Sequence, residues 1–164
     1  MSLGGLGQSV LSRLGAAADA GDLTRVKASL DAGDDVDEPA GCHNFTPLHR
    51  AADKGFLHVA VALMERGANV HAKDKNNKTP LHRAALGGFT DVTVALVEMG
   101  ADVHAKDWNT WTPVHEAAFS GCTGVAMALM DGGGDVHART KDNETPLHLA
   151  TRNGSTEVAV ALME

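Results

Sequence analysis

Tyrosine is absent from this 164-residue chain, and the other aromatics are four phenylalanines and two tryptophans. Contact through aromatic anchors can therefore come from only six side chains. There are two cysteines, Cys42 and Cys122, 80 positions apart. An intrachain disulfide is not expected from them, and so sparse a use of cysteine points to a reducing compartment. No apolar run approaches the roughly 18 residues that a membrane-spanning helix needs, so membrane insertion is not expected. Positive charge is in deficit: the formal net charge is −7 and the pI about 5.6. That argues against nucleic acid as the main ligand, because phosphate binding needs a basic footprint, and against an anionic membrane surface. Met1 to Gly5 lack a charged stretch followed by an apolar one, so no secretory signal is visible. The expected location is cytoplasmic or otherwise intracellular, with the nucleus and delivery into a host cell left open.

What the chain has instead is a repeat. Thr46-Pro47-Leu48-His49-Arg50-Ala51-Ala52 returns 33 residues later as Thr79 to Ala85, then as Thr112 to Ala118, then as Thr145 to Thr151. Gly55, Gly88, Gly121 and Gly154 share a second phase, and Gly67, Gly100 and Gly133 a third. A fixed period of this size marks a stacked array in which each unit buries its apolar face on its neighbours. With 21% charged and 43% apolar residues the chain should fold and be soluble.

The motif and its period resemble the ankyrin repeat. The resemblance spans about residues 14–164 and implies an all-α solenoid of helix-turn-helix units joined by β-hairpin-like fingers. Residues 1–12 are expected to be a flexible lead-in. The array then divides into an N-terminal capping repeat, 13–40, full repeats at 41–73, 74–106 and 107–139, and a truncated last repeat, 140–164. In the capping repeat Arg25 and Ser29 replace residues that are apolar elsewhere, as an outer face open to water would require. The first finger carries one extra residue between Glu38 and Asn44. At the other end Val158, Val160, Leu162 and Met163 keep their apolar face with no polar replacement. The face around Val158 and Leu162 is expected to be exposed or to self-associate weakly in an otherwise monomeric protein, and the chain to be a piece of a longer one.

Local chemistry supports the helix assignments. Proline at the first helical position costs no hydrogen bond, the threonine before it is a good N-cap, and a glycine closes the helix. The resemblance implies glycine two residues before each motif threonine, where this chain has Asn44, Asn77, Thr110 and Asn143. Asparagine tolerates a left-handed backbone and threonine does so poorly, so the finger holding Thr110 is expected to be distorted or strained. Gly124 and the run Gly132-Gly133-Gly134 make the repeat at 107–139 the expected loosest internal one.

Nine histidines invite a metal site, but seven are periodic. Equivalent residues of stacked helices lie about 10 Å apart, too far to share an ion with bonds of about 2 Å. The resemblance assigns His49, His82, His115 and His148 to hydrogen bonds with backbone and the motif threonine. His71, His104 and His137 stand where the family usually has an asparagine that ties adjacent fingers, and they are candidates for pH sensitivity. Cys42-His43 beside Asp37 and Glu38 is adjacency in sequence, not a nucleophilic triad. No phosphate-binding glycine loop is present, since the glycines are helix caps. No cofactor, metal or catalytic residue is expected.

In ankyrin arrays the finger tips and the inner surface of the first helices form a concave face that binds protein partners. The matching positions give a candidate set for a protein or peptide partner: Phe45, Lys75, Lys78, Leu86, Trp108, Trp111, Phe119, Lys141, Glu144 and Arg152. Both tryptophans fall in it, and tryptophan is a leading hot-spot residue. Trp108 and Trp111 are expected to project to the same side of one finger and to form a single apolar patch with Phe119 and Leu86. Phe56 and Phe89, just after the inter-helix glycines, are expected to pack. The function implied is non-catalytic recognition, the alternative being a scaffold or targeting segment of a larger enzyme, channel or effector.

Overall fold

The computed structural model describes residues 11–164. The lead-in expected at 1–12 therefore lies, up to Val10, outside the described residues. Ser12 already belongs to the array: its hydroxyl caps the first helix by accepting from the Gly15 N–H at 3.0 Å.

Ten helices follow in pairs: α1 (Arg13–Asp19) and α2 (Leu23–Asp31), α3 (Pro47–Lys54) and α4 (Leu57–Glu65), α5 (Pro80–Gly87) and α6 (Thr90–Glu98), α7 (Pro113–Ser120) and α8 (Thr123–Asp131), α9 (Pro146–Arg152) and α10 (Thr156–Met163). The first helices α1, α3, α5, α7 and α9 pack in sequence as one layer, and the second helices α2, α4, α6, α8 and α10 as another. Among the described residues there is no strand; the fingers are tight turns, and only Ala40 and Phe45 form a β-bridge. The fold is an all-α repeat solenoid.

The motif explains each pair. Thr46, Thr79, Thr112 and Thr145 are extended N-caps with proline behind them. The alanine pairs Ala51-Ala52, Ala84-Ala85 and Ala117-Ala118 are fully buried, where only a methyl group fits between neighbouring first helices. Leu48, Leu81 and Val114 are buried on the same phase, as are Leu63, Leu96 and Leu129 on the second helices. Gly55, Gly88 and Gly121 close the first helices in the left-handed conformation. A Cβ on Gly55 would lie 2.3 Å from the Phe89 ring, which packs against the core as Phe56 does.

Three expectations change. Ser29 is not on a wet outer face: it is 2% exposed, while Arg25, about one turn before it on α2, is exposed. Replacing leucine by a small hydroxyl shrinks the end unit without turning that position to solvent. Val158 and Leu162 are buried, at 0% and 8%, because α10 turns them onto α8 and α9; the exposed large apolar members of that helix are Val160 and Met163. Three of the four glycines expected to loosen the repeat at 107–139 are contact residues; Gly133 has open space around it. A Cβ on Gly124 would lie 2.9 Å from Thr90 Oγ1, one on Gly132 2.8 Å from Val97 Cγ1, and one on Gly134 2.8 Å from the Leu129 carbonyl oxygen. Gly124 and Gly132 let α8 approach α6 closely, and Gly134 lets the chain after α8 approach Val114 of α7, so these glycines also serve close packing.

Candidate functional site

Three motif histidines, His49, His82 and His115, are structural struts, while the exposed His148 bonds Thr145 of its own cap. In His82 the Nδ1 accepts from the Thr79 N–H at 3.2 Å and lies 2.9 Å from Thr79 Oγ1. That places the ring proton on Nε2, which donates to the Trp111 carbonyl of the next finger at 2.9 Å. His49 spans to the Lys78 carbonyl at 3.0 Å and His115 to the Glu144 carbonyl at 3.3 Å in the same way. Burial lowers the pKa of all three and takes His82 down to about 4. These rings are neutral cross-links between repeats, with both nitrogens occupied. His71, His104 and His137 are exposed, and their rings form no hydrogen bond among the described residues. Backbone bonds join the finger tips instead: the Lys75 N–H donates to the His43 carbonyl, Trp108 to Asn76, and Lys141 to Asn109.

Each finger is closed by one backbone bond, from the Asp74 N–H to the Lys78 carbonyl and from Asp107 to Trp111. The Asp74 carboxylate accepts from the Asn76 and Lys78 N–H groups, and Asp107 repeats this with Asn109 and Trp111. Asn44, Asn77 and Asn143 sit at φ 58°, 64° and 63°, and Thr110 at 61°. The Thr110 turn keeps the shared shape, its N–H donating to the Asp107 carbonyl at 3.0 Å. Its finger is therefore not distorted; the cost is confined to a β-branched residue in the left-handed region. The extra residue of the first finger is at Gly41, φ 86°. There the Ala40 N–H donates to Phe45 while the Asn44 N–H goes to Gly41, so two residues fill the role of one Asp74 in a glycine bulge.

Charges on this face are largely paired within the chain. Arg83 clamps Asp74, and the Asp74 side chain is fully buried. Burial works to raise the Asp74 carboxyl, but Arg83 and the Lys78 and Asn76 N–H groups outweigh it and hold it below the carboxylate range. Lys78 reaches across to Glu116 and, at 3.4 Å, to Asp107, with its ammonium 5.9 Å from the Trp111 ring centre. Glu116 is 1% exposed, and burial pushes its carboxyl up against the pull of Lys78. Arg152 pairs with Glu144. Sequence reasoning passed over Glu116, although a signal was present: Arg50, Arg83, Glu116 and Leu149 share one phase, so the charge reverses between α5 and α7.

The candidate set thus separates. Lys78, Glu144 and Arg152 are held in ion pairs. Phe45 is stacked on His49 at 5.6 Å beneath Arg83, 4.5 Å from its ring centre. Trp111 is half-buried against the core and meets Phe119 edge-on at 5.5 Å. Trp108 at the tip is 62% exposed and has no ring partner among the described residues. The two tryptophan rings do not pair: three positions and a left-handed turn separate them, Trp111 meets Phe119, and Trp108 has no aromatic contact among the described residues. Phe119 is 46% exposed, Lys75 and Lys141 are exposed, and Leu86 is half-buried.

Among the described residues no three His, Cys, Asp or Glu side chains are placed to hold one metal ion, and no helix is long and apolar enough to cross a membrane. No curated protein matches the chain. A family model for ankyrin repeats, in three copies, matches residues 14–107 and again residues 105–164. Covering the capped helix pairs, the left-handed finger turns and the histidine struts alike, that match shows that the chain belongs to the ankyrin repeat family.

Proposed function

We propose that this chain is a non-catalytic recognition module that binds a protein or peptide along the face made by its fingers and first helices. Ankyrin repeats are in general protein–protein interaction modules. The observation that carries the reading here is the contrast on this face. Arg83, Lys78 and Arg152 are neutralised by carboxylates of the chain itself, whereas Trp108 and Phe119 stand 62% and 46% exposed. Exposed rings set among satisfied charges supply apolar contact area without the desolvation cost of unpaired ions. The Lys78–Asp107–Glu116 cluster is a strut between repeats: its ammonium already serves both carboxylates. The free thiols of Cys42 and Cys122 support a reducing, intracellular setting.

The test compares affinity capture by the chain with capture by the Trp108→Ala, Phe119→Ala double variant, beside a melting curve of each. Trp111 stays, because its packing on the core would confound binding with stability. The expected result is partner binding weaker by at least about 2 kcal/mol, the scale of an interface hot spot, with the melt unchanged. Equal binding by both proteins would place recognition elsewhere.

A further inference from the structure

The opposite face, made by the second helices, has its own pattern. Val61, Val94, Met127 and Val160 recur at one phase of α4, α6, α8 and α10. The outward side of a surface helix is normally polar, yet Val94 is 38% exposed, Met127 51% and Val160 45%. Between α6 and α8 the row opens into a groove of about 470 Å³ with Val94 and Val97 on one wall and Met127 on the other. Gly124 and Gly132 line it without side chains, and the close approach described above leaves them none to spare.

Acid flanks the row. Glu65, Glu98 and Asp131 follow it four residues on along each helix, and Asp91 and Glu157 precede it by three. All five are exposed, and none takes part in an ion pair among the described residues. The finger-side face pairs its partly buried charges internally; this face leaves its negative charge open.

Spacing identifies what fits. Packed helices are about 10 Å apart, and seven residues of an α-helix also rise about 10 Å, at about 1.5 Å each. A helix laid across α6, α8 and α10 would set its positions i, i+7 and i+14 over Val94, Met127 and Val160. Basic residues flanking that seam would meet Glu98 and Asp131 on one side, Asp91 and Glu157 on the other. A second copy of this chain cannot supply such a helix from its described residues, whose helices run to nine residues at most. We propose that the second-helix face is a separate docking surface for a basic amphipathic helix of a partner protein, at least about 15 residues long.

The probe is a fluorescein-labelled 18-residue peptide of leucine and lysine with one apolar seam, titrated with the full chain at physiological salt. Three controls accompany it: a scrambled peptide of the same composition, a leucine and glutamate counterpart, and the chain alone in sedimentation. The proposal expects saturable binding at least tenfold tighter than for the scrambled peptide and none for the acidic one. The Val94→Lys, Met127→Lys pair and the Glu98→Lys, Asp131→Lys pair should each lose at least tenfold, while Trp108→Ala, Phe119→Ala binds as before. Equal binding of seamed and scrambled peptides would overturn it, as would a loss that follows Trp108 and Phe119. Self-association abolished by Val94→Lys, Met127→Lys would overturn it too, since the occupant would then be a second copy. Should that pair melt early, the Glu98→Lys, Asp131→Lys pair, at exposed positions, decides.

Discussion

Two residues show how single side chains tune this array. Thr110 occupies φ 61°, where its equivalents are asparagines. The left-handed region costs an ordinary residue about 1–2 kcal/mol, so Thr110→Asn should stabilise by about 1 kcal/mol and raise the melting temperature by about 2–4 °C. A lower melting temperature would mean that the Thr110 hydroxyl bond to the Asn109 carbonyl, at 2.7 Å, outweighs the strain. His82 governs acid stability. Burial holds its ring down to about 4 from the usual 6.5, so between those values the unfolded chain takes up a proton that the folded chain refuses. Its contribution is complete above pH 6.5 and drains as pH falls toward 4, by roughly 3 kcal/mol at about 1.4 kcal/mol per unit. His49 and His115 act in the same direction. Glu116 acts in the opposite one: its raised carboxyl favours folding below its own titration and offsets part of the loss. Urea midpoints at pH 7 and pH 4.5 should differ clearly in the wild type and less in His82→Gln, whatever that variant's starting stability. Equal differences would remove His82 from the account.

At the scale of the element, the glycines at the end of α8 separate two kinds of constraint. Gly133 has φ 89° and open space around it, so a side chain there strains the backbone alone. Gly134 has an ordinary backbone, yet a Cβ would meet the Leu129 carbonyl oxygen and Val114 Cγ2, each at 2.8 Å. Gly134→Ala should therefore destabilise by about 1–3 kcal/mol, the usual cost of overpacking. A neutral result in chemical denaturation would show that the α7–α8 junction yields by a few tenths of an ångström.

For the whole molecule, stability is a sum over neighbouring interfaces. Leu81 is fully buried in α5, between α3 and α7. Leu81→Ala should cost about 2–5 kcal/mol, because the flanking helices cannot collapse onto the cavity. A loss below about 1 kcal/mol would contradict this packing. Charge is also partitioned at this scale: the finger side pairs its partly buried ions, and the second-helix side leaves acids open beside an apolar row.

The sequence by itself determined the architecture. A repeated Thr-Pro cap, paired alanines and periodic glycines specify helices through short-range chemistry, so fold class, helix starts and finger turns were legible residue by residue. Phe56 and Phe89 as packing residues, and the left-handed positions up to Thr110, were legible for the same reason. What only the tertiary structure decided depends on contacts 30 or more residues apart. Lys78 finds Glu116 in the next repeat, Gly124 meets Thr90, and Ser29 stays inside the end unit. At shorter range, Trp111 lies against Phe119 while Trp108 has no ring partner among the described residues, and a turn, not an extended segment, lies between the two tryptophans. The exposure of the apolar row on the second helices was not legible either: a hydrophobic helix shows its composition in sequence, but which of its sides a neighbour covers is set only when the layers pack.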